Sequence, residues 1–574
     1  MLVCIRKFTS TLLLTLTLAS PGYAQNNIKL EFHGIPVNAL KNVQAIFDET
    51  ITSNAYLTKK QTYDFYKQAP EKIRLALEPY GYFKPIIQSR LIYKHTYWLA
   101  IFYINPGIPM HITHITISIN GPGKNNKAIT HYIAHFPLQT GAVFNSEDYE
   151  AAKQKLFNLA RNQGFLKATF DNTIRIDRKK YQCSIKIALN TGEKFYFGQV
   201  IYNTHPYSAH FLNRIVSFSR NEPFSSSKLI TLQQTMENSY YFQQVAITPD
   251  LMNIENRQIP IHVYMIPPKA KRYHFGFGYG TLSGPRITAG LSLRHLGNNG
   301  HHLESELQLS PVLSNLTANY YIPGKNPLMD EWVLAANLKT FKPKSGWSES
   351  FILTAGYAKK MNNTRINYNL NFLEERFSIF SITNSPIMYA HQLYPNLRVS
   401  YVKVDNLINP SHGILCSFNI QGAYRPFLSS TSFIQPQLDA KYIVSPFSFA
   451  HIILKGDLGY TAVSNLNQFP FSMRYFAGGV NSIRGFANSS IGPGRYLTIG
   501  SLEYRNKLIN NWYGAVFYDI GTASNQFGLP LNRGSGIGII YESMVGPIKI
   551  YGAKALSKTT QPFSLEFMVG PEFS

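Results

Sequence analysis

The chain has 574 residues, 37 Tyr and 38 Phe among them, and a hydrophobic fraction of 44%, ample for folded domains. Its formal net charge of +24 is spread out, +12 over residues 25–271 and +10 over 272–574. No basic run is interleaved with aromatics, so nucleic acid is set aside as a partner and anionic lipid headgroups fit so diffuse a charge better. Of three cysteines, Cys4 lies in the leader segment, and Cys183 and Cys416 are too few for a disulfide framework.

Residues 1–24 read as a signal peptide: Arg6 and Lys7 precede the apolar run from Phe8 to Ala19, and Gly22-Tyr23-Ala24 supplies small residues for cleavage. No later segment is apolar for the roughly 18 residues a membrane helix needs. A membrane-embedded chain of this kind must therefore be a closed β-barrel, the other fold that satisfies its own backbone in lipid.

Residues 25–271 contain a repeat. LEPYGYFKPII, LARNQGFLKATF and TMENSYYFQQVAI each end a helical pattern, turn, and enter a strand, aligning Gly81, Gly164 and Tyr240. In the second unit Ser146 is expected to cap a helix whose Tyr149, Ala152, Leu156, Leu159 and Ala160 share a face, with Gly164 as its left-handed stop. The spacing predicts three α+β modules in series, at 25–108, 109–192 and 193–271, with turn glycines Gly81 and Gly164.

From residue 272 the pattern changes to period two. In TRINYNLNF, Ile366, Tyr368, Leu370 and Phe372 alternate with Arg365, Asn367, Asn369 and Asn371, and ILCSFNIQG and AHIILKGDLGY repeat the alternation. About 16 such segments in residues 272–574 predict a 16-stranded antiparallel transmembrane β-barrel, oily outside and wet inside. The first strand carries Gly276, Gly278 and Gly280 on one face and Tyr273, Phe275, Phe277 and Tyr279 on the other; the last, PFSLEFMVG, points Phe567 outward and stops at Gly570 and Pro571. These two strands are expected to form a weak seam.

No nucleophile elbow, zinc-protease motif, C-x-x-C or phosphate loop is present, and no catalytic residue, cofactor-binding residue or metal ligand is assigned. One constellation stands out. FAGGVNSIRGF carries Arg484, Gly485 and Phe486 behind the loop glycines Gly478 and Gly479, and two following strands place Glu503 and Asp519 on their inward faces. Such a carboxylate pair can anchor one guanidinium or simply be solvated in the lumen.

FAGGVNSIRGF resembles the signature of the Omp85 superfamily, with Gly500–Glu503 and Tyr518–Gly521 similar to the two strands that follow it. The modules resemble POTRA domains, and three of them together with the ending FMVGPEFS are similar to the TamA-like branch. The resemblance implies a sixth extracellular loop folded into the lumen, with its tip, Arg484, Gly485 and Phe486, held by Glu503 and Asp519. It implies a non-enzymatic outer-membrane factor that assembles or translocates other outer-membrane proteins, autotransporters among them, with the POTRA domains in the periplasm. It further implies a TamB-like inner-membrane-anchored partner, client proteins, outer-membrane lipids and no cofactor. Alternatives are a two-partner-secretion-type transporter and phospholipid passage to the outer membrane. The chain departs from the pattern at Tyr240, where the other modules have glycine, and at its final Ser574, which leaves Phe573 penultimate.

Overall fold

The computed structural model describes residues 28–52, 58–94, 97–203, 206–280, 284–381, 384–527, 530–544, 546–557 and 563–569. The expected signal peptide, Gly570 and the last four residues lie outside them. No described helix is long and apolar enough to cross a membrane.

Three small modules open the chain. The first contains β1 (Ile28–His33), α1 (Val37–Thr52), α2 (Lys59–Leu77), β2 (Ile86–Lys94) and β3 (Tyr97–Asn105). The second contains β4 (His111–Asn120), α3 (Lys127–Ala134), α4 (Ser146–Asn162), β5 (Thr169–Asp177) and β6 (Gln182–Asn190). The third contains β7 (Tyr196–Tyr202), α5 (Ala209–Asn213), α6 (Ser226–Glu237), β8 (Gln244–Pro249) and β9 (Gln258–Ile266). Each sheet has the same order, β1-β3-β2, β4-β6-β5 and β7-β9-β8, so the repeat legible in the sequence is one topology used three times.

The helices follow their local signals. Thr58 and Gln61 form a capping box at the start of α2. On α4 the cap is Asn145, one residue before the expected Ser146: its side chain accepts the Glu147 N–H at 2.9 Å, and Ser146 is the first helical residue. Tyr149, Ala152, Leu156 and Ala160 form the buried face. Gly81 and Gly164 have φ of +86° and +94°, and each carbonyl accepts the N–H that opens the next module, from Met110 at 2.9 Å and Phe195 at 2.8 Å. Tyr240 stands apart: its φ is not positive, so the third helix leaves by a different turn.

The chain divides into two compact units. One holds the described residues up to Val200 with Phe218–Leu229 and Pro249–Ile261; the other holds Ile201–Ser217, Ile230–Thr248 and His262 onward. Parts of the third module thus group with the barrel rather than with the first two modules. Within that second unit Phe211 packs on Gly300, Tyr207 meets His295 edge to face at 5.4 Å, and Tyr240 stacks on His302 at 4.4 Å.

Among the described residues from Lys271 onward, seventeen strands form one sheet with every pair antiparallel, and Tyr475–Ala477 with Ile491–Gly494 forms a small sheet apart. One of the seventeen is the two-residue piece Ala462–Val463, which continues the strand Ala450–Tyr460 and pairs with the same neighbour, so sixteen full strands remain among the described residues. Its faces are those of a barrel in lipid. Tyr368, Leu370, Leu502 and Val516 are 49–52% exposed, whereas Asn371, Glu503 and Asp519 on the opposite faces are buried.

Candidate functional site: the folded-in loop and the seam

The residues between Val463 and Tyr496 form a long loop that packs as a small core of its own. It is pinned at two places.

The first is a pair of 3-10 turns, Leu466–Gln468 and Phe471–Met473. Phe469 and Phe471 are buried against Leu373 and Phe377, apolar residues on the inward face of the strand Thr364–Ile379, whose earlier inward positions, Arg365 to Asn371, are polar. Between them, Glu375 accepts the Ser472 N–H at 2.9 Å and the Ser472 hydroxyl. Arg474 ties the turns together by donating to the Leu466 and Phe469 carbonyls at 2.6 and 3.0 Å. Sequence reasoning missed this anchor; its signal was the intrusion of Leu373 and Phe377 into a polar face.

The second is the tip. Tyr475–Ala477 pairs with Ile491–Gly494, and Gly478 and Gly479, with φ of +104° and +94°, turn the chain toward the wall. Ile483 and Phe486 point into an apolar cluster with Tyr475, Leu497, Ile499, Ala523 and Ala555, leaving Arg484 aimed at the acids. Its Nε and Nη2 donate to the two oxygens of Asp519 at 2.8 Å each, a bidentate fork, and Nη1 donates to Glu503. The Arg484 backbone N–H also reaches Asp519 at 3.0 Å. The guanidinium lies 3.6 Å over the Phe517 ring and 4.7 Å from that of Tyr551. Arg484, Glu503 and Asp519 are 5%, 5% and 0% exposed, so this is a desolvated ion cluster rather than solvated lumen groups.

The register explains how the strands present these groups. Ser501 pairs with Asp519 and Glu503 with Phe517, so the carboxylates sit diagonally on neighbouring strands, one two-residue step apart. Glu503 has further partners that the sequence did not indicate: Arg505 Nε at 2.6 Å and the Tyr551 hydroxyl at 3.0 Å. The alternate glycines Gly534, Gly536 and Gly538 also acquire a reason. A Cβ on them would run into the Arg484 carbonyl, the Phe517 ring and the Tyr551 ring respectively, so the strand Asn532–Ser543 is bare where the tip and its aromatic supports lie. Beside the tip is a lumen cavity of about 560 Å³, edged by Lys455, Asp457, Arg505 and Lys549 among others.

The expected seam residues form a second group. Tyr273 and Phe275 point outward, 62% and 77% exposed, and Phe567 is outward on the last strand. Gly276, Gly278 and Gly280 pair with Thr288, Arg286 and Gly284 of the second strand. The Thr288 hydroxyl donates to the Gly276 carbonyl at 3.4 Å, a long contact and weak support. The first strand, Lys271–Gly280, and the last, Ser564–Val569, come within 8 Å of each other Cα to Cα, yet among the described residues no ladder joins them. Among the described residues every other pair of neighbouring wall strands is joined by a ladder. Among the described residues no cluster of His, Cys, Asp and Glu could hold a metal ion.

Comparison with known proteins accords with this architecture. Residues 390–573 match the family model for the Omp85 superfamily domain, and residues 29–106 match that for POTRA domain TamA domain 1. Among solved structures, BamA from Haemophilus ducreyi lacking POTRA domains 1–3 is similar at 17% identity with a TM-score of 0.66, over 80% of this chain and 99% of that one. CdiB from Acinetobacter baumannii is similar at 12% identity with a TM-score of 0.50, over 80% of this chain and 90% of that one. At these identities the likeness is one of fold.

Proposed function

Because this chain carries an Omp85 superfamily domain behind a TamA-type POTRA domain, we propose that it inserts or translocates other outer-membrane proteins, autotransporters among them, by parting its barrel wall sideways. The barrel sits in the outer membrane and the POTRA modules in the periplasm. The observation that carries the mechanism is the seam: two neighbouring strands within 8 Å of each other, without a ladder among the described residues, in a sheet otherwise paired throughout. Backbone groups exposed when that seam parts are costly in lipid, so the parted edge is a template for an incoming strand. Strand addition needs no cofactor and no covalent step. The modules, with their exposed sheet edges, receive clients on the periplasmic side, and a TamB-like inner-membrane-anchored protein is the proposed partner.

The test replaces Cys183 and Cys416 with Ser, introduces cysteine pairs between residues 274–279 and 564–569, and oxidises those that cross-link. Locked barrels should lose client assembly and regain it on reduction. Undiminished assembly by the locked form would transfer the function to the lumen as a conduit, the two-partner-secretion reading. Parallel measurement of phospholipid arrival at the outer membrane after depletion separates the lipid reading from protein assembly.

A further inference from the structure

The tip does more than grip the two strands that carry Glu503 and Asp519. Gly485, with φ of +92°, lies so close to the next strand but one that a Cβ would come within 2.8 Å of the backbone at Lys554 and Ala555. Its N–H donates to Oε1 of Glu566 at 2.7 Å. Glu566 belongs to the last strand, Ser564–Val569, and is 4% exposed on its inward face, opposite Tyr551. The tip therefore touches every strand from Tyr496–Ile509 to the seam: Glu503, Asp519, Gly534, Tyr551 and Glu566 lie on five consecutive ones.

We propose that Glu566 is a latch: through its carboxylate and the Gly485 N–H, the loop tip holds the terminal strand in the barrel wall. Three facts support a positioning role. Among the described residues the last strand pairs over six positions, all with the strand Gly546–Ala555, and the Gly485 bond ties it to the loop tip as well. The acceptor is a carboxylate bonded to a backbone N–H, the stronger, charge-assisted kind. Its second oxygen has no partner among the described residues, a cost that an apolar residue would avoid. Peeling the terminal strand from its neighbour must then break the tip's hold on it, which couples the state of the loop to the state of the seam. The coupling gains functional meaning from the lateral-opening reading; the latch itself is a statement about the resting barrel and is tested without clients.

The experiment is amide hydrogen exchange on the full-length protein in lipid nanodiscs, read at residues 482–487 and 564–569. Glu566→Leu removes the acceptor and should speed exchange about tenfold in both segments. Glu566→Gln keeps a carbonyl acceptor for the Gly485 N–H, weaker without the charge, and should restore part of the protection. Protection lost equally in the Gln and Leu variants would mean that charge next to Arg484 matters and the hydrogen bond does not, overturning the latch. So would an effect confined to one segment. If the Leu variant does not fold, the unmodified protein decides in mild denaturant: tip and terminal strand should lose protection together, and a tip still protected after the strand has opened refutes the coupling. Client assembly failing while the latch is upheld would count against the proposed function alone.

Discussion

Replacing Arg484 with Ala is the sharpest perturbation of the lumen site. The guanidinium makes a two-pronged contact with Asp519, one bond to Glu503 and one to the Ser501 hydroxyl at 3.1 Å. After truncation Glu503 keeps Arg505 and Tyr551, whereas Asp519 keeps, among the described residues, only the Ser501 hydroxyl at 2.6 Å and the Arg484 N–H. A carboxylate with no solvent exposure has then lost its counter-charge, and breaking a buried pair from one side costs about 3–5 kcal/mol. Taking the lower bound, the ratio of docked to undocked tip falls by a factor of about 150. Arg484→Lys should recover part of this, since an ammonium restores charge but not the fork. The assay is limited proteolysis from the extracellular side in reconstituted membranes, scored within residues 478–490, with Arg495→Ala as the control from the same loop. Equal protease access in the Arg484 and Arg495 variants would refute the argument that this ion cluster holds the tip.

Further consequences concern the anchors and the modules. Glu375→Ala should release the 3-10 turns by removing both Ser472 contacts, raising proteolysis near 466–473 while the tip at 484–486 stays protected; simultaneous release of both would show a single cooperative dock. Gly164→Ala forces a Cβ to within 2.6 Å of the Phe195 carbonyl at a left-handed φ, and should destabilise the junction of the second and third modules by more than about 1 kcal/mol in denaturant titration. Burial pushes the Cys183 thiol up to about 11, so maleimide should label it slowly at pH 8 in the native protein and rapidly after unfolding. Because the folded thiol holds its proton above the ordinary value near 8.5, this group's contribution to the second module's stability should be lost as pH rises from about 8.5 to about 11, and Cys183→Ser should remove that dependence.

Local pattern determined much of this protein. Alternation of oily and polar residues over residues 272–574 dictates a barrel because each strand must show one face to lipid and one to water, and it places Glu503 and Asp519 inward whatever the strand register. The helix-turn-strand repeat dictates the three modules, since Gly81 and Gly164 sit where a left-handed stop is needed. Height along the barrel is another matter. A residue's parity tells which way it points, but which inward groups meet depends on the stagger of every intervening strand, information that no short window contains. Tertiary structure alone therefore brought Gly485 to Glu566, 81 positions away, and Ser472 to Glu375, 97 positions away. It also grouped parts of the third module with the barrel, because side chains such as Phe211 and Tyr240 find their partners on barrel residues that are distant in sequence.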